Sequence, residues 1–329
     1  MTDLGTLTVP KKTTLDVGNG VSFSTNGHYF TAPSDLDIDA YIESLTAPLS
    51  AIVQVTKRCD MDCDFCSETL QRPDPTLDQL DVMRKNLKGV KRVFLSGGEP
   101  LMRKDFSEIV EEWHRDFILA VPTNATHGHV HAERIAGKIA YANIGLEGPR
   151  GVTNRVRGDY DTVMRGVRAL QEAGIPLALS TVVLRSYSEY LPFTVQIADS
   201  LGAGKVKLIM PLRKGNALDL AEHEFMSDEE ADGVYRRISE LRTTLMWRPA
   251  VRLTKWTPEN EGHMICIEPN GVANAWPVYD AKDLFEPLGN VTEEPITELW
   301  KRYRFKRNHV TKYLGRSILA ANYAEPADA

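Results

Sequence analysis

Residues 51–66 read AIVQVTKRCDMDCDFC. Ala51 to Thr56 is a short apolar, β-branched run, the composition of a buried strand. Directly after it come Cys59, Cys63 and Cys66, three of the four cysteines in the chain. In α/β folds, ligands bind at the C-terminal ends of the strands, so this triplet stands where a functional loop is expected. Its spacing lets one loop wrap three thiolates around a single centre. Thiolates that close repel one another unless a cation holds them. A structural zinc site wants four ligands, commonly two paired cysteine motifs, and no second pair exists here. Histidines from elsewhere would be needed to complete one. An iron–sulfur cluster normally takes four cysteines, so three leave one iron open to a reactant.

The pattern continues in both directions. Apolar runs recur at Val90–Leu95, Phe117–Val121, Tyr141–Leu146, Leu177–Val183 and Val206–Met210. Amphipathic segments lie between them, near Thr76–Leu87, Asp105–His114, Val130–Ala136, Tyr160–Glu172 and Glu189–Ser200. Six strands alternating with helices predict an α/β fold with a parallel sheet, curled by right-handed crossovers into a partial (β/α)6 TIM-like barrel. Before it, Thr13–Ser24 reads as a hairpin around Gly18-Asn19-Gly20, and Ser34–Leu45 as a short helix capped by Ser34. After Gly215 the alternation is expected to stop. Ser227–Leu245 reads as one long helix, Cys266–Ala275 as a hairpin around Pro269-Asn270-Gly271, and a last helix starts near Pro295, carrying Trp300, Tyr303 and Phe305. The expected division is an N-terminal extension (1–48), a barrel (49–215) and a small α+β cap (216–329). The tail from Ala321 is expected to fray.

The composition is that of an ordinary globular protein: 329 residues, 42% hydrophobic and 26% charged. That excludes a disordered or coiled-coil chain. A net charge of -6 argues against nucleic acid as a partner. No run approaches the ~18 apolar residues of a membrane span, and Met1–Lys12 has no signal-peptide pattern. A tight cysteine triplet without a signal points to a metal site in a reducing, cytoplasmic setting.

CxxxCxxC after the first strand of such a chain resembles the radical S-adenosylmethionine (radical SAM) superfamily. The resemblance implies that Cys59, Cys63 and Cys66 hold one [4Fe–4S] cluster. SAM would chelate its open iron and be cleaved to a 5′-deoxyadenosyl radical that takes a hydrogen atom from substrate. Phe65 matches the aromatic that packs against adenine. Gly97, Gly98 and Glu99, in Ser96–Pro100, resemble the family's GGEP motif; bare glycines let backbone approach a ligand, and the carboxylate receives the SAM ammonium. Asn124 resembles the Asn of the TNG motif, with Ala125 in place of glycine. Gly145–Gly148 resembles an SLDG segment in which Gly145 and Glu147 replace Ser and Asp. Glu147 would reach ribose hydroxyls or substrate, and Arg157 matches the arginine that follows that segment. Ser180 matches a position that binds the SAM carboxylate, and Ile209 with Met210 a backbone stretch that brackets adenine.

The C-terminal region, through Ile265–Gly271 and Leu288–Val291, resembles the SPASM/Twitch branch, whose enzymes carry auxiliary clusters on C-terminal cysteines. Here only Cys266 remains, and one cysteine cannot hold a cluster. The resemblance therefore implies a cap that has lost its metal, and redox-neutral chemistry: epimerisation, elimination or decarboxylation. Cys266 reads either as a small buried hydrophobe or as a hydrogen-atom donor to a substrate radical. The basic run from Lys301 to Arg316 reads as a solvated helix face or as a patch for an acidic ligand. The expected substrate is a small sugar-like natural product in a biosynthetic pathway, with a ribosomal peptide as the alternative. An external electron donor such as flavodoxin or ferredoxin is implied. A dehydrogenase and a non-enzymatic zinc-binding module are the rival readings.

Overall fold

A computed structural model describes residues 14–24, 29–68, 71–278 and 287–322, with side chains through residue 314. The expected strands and helices of the barrel are present. Strands β4 (Ser50–Thr56), β5 (Arg92–Gly97), β6 (Ile118–Thr123), β7 (Tyr141–Gly145), β8 (Leu177–Val182) and β9 (Lys205–Ile209) pair in parallel, in chain order. Helices α2 (Leu77–Asn86), α3 (Phe106–Trp113), α4 (Gly128–Ile135), α6 (Tyr160–Glu172) and α7 (Leu191–Ser200) connect them. Helix α6 shows why these segments are helical. Asp159 caps it by accepting from the Thr162 amide at 2.9 Å, and Val163, Gly166, Val167 and Leu170 form its buried stripe. Gly166 is obligatory there: a Cβ would stand 1.7 Å from the Ala125 carbonyl oxygen.

The alternation does not stop at Gly215. Helix α8 (Asp228–Thr244), with a Ser227/Glu230 capping box, leads into β10 (Ala250–Thr254), which pairs in parallel with β9. This strand escapes sequence reading because it lies at a sheet edge and alternates apolar with polar residues, giving no continuous apolar run. At the other edge, β11 (Met264–Ile267) pairs in parallel with β4, and β12 (Val272–Trp276) and β13 (Gly289–Asn290) follow antiparallel. The expected hairpin around residues 269–271 is thus an extension of the barrel sheet, which has ten strands among the described residues.

Strands β1 (Thr14–Gly18) and β2 (Val21–Ser24) form the expected hairpin, although Thr13 lies outside the described residues. A third strand, β3 (Tyr29–Thr31), joins them. Helix α1 is shorter than expected, Ile38–Ser44, and its cap is Asp37 rather than Ser34, because Asp37 accepts from the Asp39 and Ala40 amides. A helix not anticipated, α5 (Arg150–Val156), precedes α6. The last helix divides into α9 (Ile296–Lys301) and α10 (Lys306–Asn322); Trp300 lies in α9, while Tyr303 and Phe305 lie in the turn between the two. Trp300 and Tyr303 are core, their rings stacked at 5.4 Å. The expected fraying tail begins inside α10, and the rest of it lies outside the described residues.

The N-terminal sheet and α10 plug the lower end of the barrel. Phe23, Phe30, Leu49, Phe94, Tyr141, Val310 and Leu314 form this plug, with the Arg92 guanidinium among the aromatic rings. The basic run is largely engaged within the chain: Lys301 pairs with Glu298, Arg302 with Glu294 and Arg307 with Asp39, while Lys312 donates to Asn260. No helix among the described residues is long and apolar enough to cross a membrane.

Candidate functional site

The cysteine loop leaves the C-terminal end of β4, at the open end of the barrel. Cys59 is exposed, Cys63 buried and Cys66 half-buried. Burial pushes the Cys63 thiol up to about 12 and raises that of Cys59, so metal must displace protons to bind here. A structural zinc site takes four ligands, and this loop offers three cysteines. Three cysteines on one loop suit a cluster that takes one thiolate at each of three irons and leaves the fourth open.

Three other segments hold the loop. Gly98 N donates to the Thr56 carbonyl at 3.0 Å and Glu99 N to the Arg58 carbonyl at 2.8 Å. A Cβ on Gly97 would stand 1.9 Å from the Thr56 carbonyl oxygen, and one on Gly98 2.3 Å from that of Arg58. The glycine pair admits the backbone leading into the cysteines. Asn124 is likewise engaged, donating to Asp60 at 2.7 Å and accepting from Thr126 N. Thr126 Oγ1 donates to the other Asp60 oxygen at 2.6 Å. From the far side of the barrel, Asn216 N donates to the Cys66 carbonyl at 2.9 Å, and its side chain donates to Asp62 and to the Cys63 carbonyl. Asp60, Thr126 and Asn216 were missed in the sequence because no local pattern links residues so far apart.

Glu99 is fully buried. Its carboxylate accepts from Thr123 Oγ1 at 2.7 Å, Asn124 N at 2.6 Å and Leu101 N at 2.9 Å. Burial still raises its pKa to about 7 against these donors, so a nearby cation would hold it ionised. Glu147, also fully buried, pairs with Arg157, whose Nη2 donates to Oε1 at 3.0 Å. The guanidinium lies 5.2 Å from the Phe65 ring centroid and fills the space over Gly145, where a Cβ would be 2.6 Å from Nη1. Burial alone would lower the Arg157 pKa, but the Glu147 carboxylate more than offsets it and the pKa rises. The two departures from the family pattern, Gly145 and Glu147, therefore form one unit with Arg157.

Ser180 Oγ accepts from the Asn143 amide at 3.0 Å, and Asn143 Oδ1 is buried without a partner. Ile209 and Met210 lend their backbone to the sheet edge: Ile209 O accepts from Val183, Met210 N donates to Thr254, and Met210 O accepts from Trp256 Nε1. Cys266 is buried and lines a cavity of about 780 Å³. Lys57 and Glu68 border the same cavity from the two ends of the cysteine loop, with Gln54, Glu268 and Trp276 beside them. Burial pushes the Cys266 thiol well above the usual range, so it stays protonated. The unpartnered Asn143 and Gln54 oxygens call for hydrogen-bond donors. The residues present thus fit SAM and a polar substrate.

The Radical SAM superfamily model matches residues 53–189. GTP 3',8-cyclase of Rhizobium etli is 30% identical over 213 residues, 59% of this chain and 57% of that one. PqqA peptide cyclase of Granulibacter bethesdensis is 24% identical over 181 residues, 51% of this chain and 48% of that one. The chain thus spans about half to three-fifths of the length of these two relatives. Among solved structures, Streptococcus suis SuiB bound to its precursor peptide SuiA superposes with a TM-score of 0.64 at 14% identity, covering 81% of this chain and 67% of that one. Native anSMEcpe with bound AdoMet gives 0.63 at 15% identity, covering 82% and 84%. These likenesses bear out the partial-barrel fold. The matched segment runs from β4 across the cysteine triplet to the turn before α7, so this part of the chain is similar to radical SAM enzymes, for which [4Fe–4S] and SAM chemistry is implied.

Proposed function

We propose that this chain carries one [4Fe–4S] cluster on Cys59, Cys63 and Cys66, binds SAM against it, and performs a redox-neutral modification of a small, sugar-like substrate. In this reading residues 49–215 hold the cofactors, and 216–329, whose strands extend the barrel sheet on both edges, carry a SPASM/Twitch-like segment without an auxiliary cluster. Glu99 receives the SAM ammonium. Asn143 and Ser180 offer polar groups to its carboxylate or hydroxyls. Phe65, with the backbone of Ile209 and Met210, borders the adenine. Glu147 holds Arg157 against that wall.

The observation that carries the reaction class is Cys266. It is the only cysteine after Cys66, and it faces the cavity bounded by both ends of the cysteine loop. The cofactors, when bound, supply the radical that removes a substrate hydrogen atom. The Cys266 S–H then gives a hydrogen atom to the opposite face of the substrate carbon. One electron from an external donor such as flavodoxin or ferredoxin, with one proton, restores the thiol. The net outcome is inversion of the carbon, with no oxidised product. The cavity of about 780 Å³ has room for a small molecule. The likeness to PqqA peptide cyclase supports a peptide as the second reading.

The test is iron and sulfide per chain after anaerobic reconstitution, with the spectrum of the reduced protein before and after SAM. About four irons with a SAM-perturbed signal supports one site-differentiated cluster. About eight would move oxidation to the front, and one zinc without iron would remove the radical reading. During turnover in D2O the wild type places one deuterium at the inverted carbon. Cys266→Ala should place none; unchanged inversion in that variant would end the donor role.

A further inference from the structure

The cysteine loop is acidic. Asp60, Asp62 and Asp64 stand between its three cysteines. Lys57 and Arg58, which lead into it, are turned to Glu68 and Asp74, at 2.6 and 2.5 Å. Each thiolate that binds iron adds a further negative charge. An electron arriving at a cluster on this loop therefore meets repulsion from it.

One cation reaches the loop from across the barrel. Arg157 follows α5, and its guanidinium lies 5.2 Å from the ring centroid of Phe65, the residue just before Cys66. Its neighbour Gly158 packs on the same loop, where a Cβ would stand 3.0 Å from Met61 Cε. These two contacts set residues 157–158 against the turn that Cys66 N closes on the Cys63 carbonyl at 3.0 Å. Glu147 anchors the guanidinium: Nε and Nη2 donate to its two oxygens, and the Val182 amide donates to Oε1 at 3.3 Å. Nη1 has no acceptor among the described residues. It occupies the space that Gly145 leaves empty, since a Cβ there would be 2.6 Å from it. The Arg157 side chain is only 15% exposed and that of Glu147 not at all, so water screens this pair little. Burial raises the Cys63 thiol pKa. Of the charges acting on Cys63, that of Arg157 is the largest and opposes burial, ahead of the contrary charge of Glu147. At this cysteine the pair is felt as positive.

Resting on the [4Fe–4S] reading above, we propose that Arg157, fixed by Glu147 and given room by Gly145, is the charge that eases one-electron reduction of the cluster. In that step the 2+ cluster gains one electron from an external one-electron donor and becomes the 1+ cluster. No bond forms or breaks and no proton moves. A fixed positive charge beside the loop favours the more negative of the two states.

The test is a dye-mediated redox titration of the reconstituted protein without SAM or substrate. Titanium(III) citrate is the reductant, and the electron paramagnetic resonance signal of the reduced cluster is the readout. The midpoint is a ratio, independent of how many chains hold iron. Arg157→Gln should lower the reduced-to-oxidised ratio at a given potential about tenfold, a shift of about 59 mV to more negative values. Glu147→Gln leaves the guanidinium uncompensated and should shift the midpoint the other way. Arg157→Lys, which keeps the charge, should stay closer to the wild type than Arg157→Gln. The double variant with both substitutions to Gln, neutral like the native pair, should fall between the two single variants. A purely structural role moves both single variants in the same direction, because each loosens the same loop. That result overturns the proposal. So does an unchanged midpoint in Arg157→Gln, a double variant outside the range of the single ones, or loss of the cluster from both single variants. Where one single variant alone retains a cluster, the direction of its shift decides. A wild type without iron would instead remove the cluster reading itself, before any variant is compared.

Discussion

Arg157 shows how far one residue's role depends on its neighbours. In the sequence it is an arginine ten positions after a glutamate. In the fold it is wedged between Phe65 and the bare backbone of Gly145, with Glu147 as its counter-charge. Removing one partner of a buried pair leaves an uncompensated charge in a dry site, at a cost of about 3–5 kcal/mol. Glu147→Gln should therefore lower unfolding free energy by roughly that amount in denaturant titrations, with reduced iron uptake because Phe65 and the cysteine loop lose their backing. Unchanged stability would mean that Arg157 finds another anion. Glu99 was legible as an acceptor from its motif. That three protein donors already occupy it was not, since Thr123 and Asn124 reach it only because β6 lies beside β5.

At the scale of elements, α10 is tied to the barrel by a histidine whose proton is placed by its partners. His309 Nε2 accepts from the Leu49 amide at 2.8 Å, so Nδ1 carries the hydrogen and donates to the His263 carbonyl at 2.7 Å. Burial lowers the pKa of His309 to about 3, and that of His263 likewise. The unfolded chain thus binds more protons than the native one between about pH 6.5 and 3, and stability must fall as pH falls through that window. His309→Gln should be less stable at pH 7 but show a shallower loss on acidification, about 2 kcal/mol less by pH 5. Denaturant midpoints at several pH values check this; parallel slopes would show that His309 stays neutral by moving rather than by unfolding. The helices with strong stripes, such as α6, were legible end to end. Helix α1 was displaced because Asp37 outcompetes Ser34 as a cap, and the last helix was broken by a turn that no proline announces.

At the scale of the whole molecule, the barrel sheet takes strands from both sides of the expected boundary at Gly215. Strand β10 covers the edge of β9, and β11 covers the edge of β4, the strand that delivers the cysteines. A chain shortened after Gly215 would expose both edges and the apolar strands behind them. It should lose cooperative melting by circular dichroism, whereas a separately folding 49–215 unit would retain it. The α/β alternation and the cysteine triplet, with the resemblance the triplet carries, were legible along the chain, because each is a local matter of periodicity or spacing over a few residues. Only the tertiary structure decided which groups are already engaged and which stand open. The Gly97-Gly98 pair clasps backbone and Asn124 holds Asp60, while the Gln54 and Asn143 amide oxygens stay without partners. The physical reason is that satisfaction of a buried polar group is set by neighbours from distant strands, and those neighbours meet only when the sheet closes.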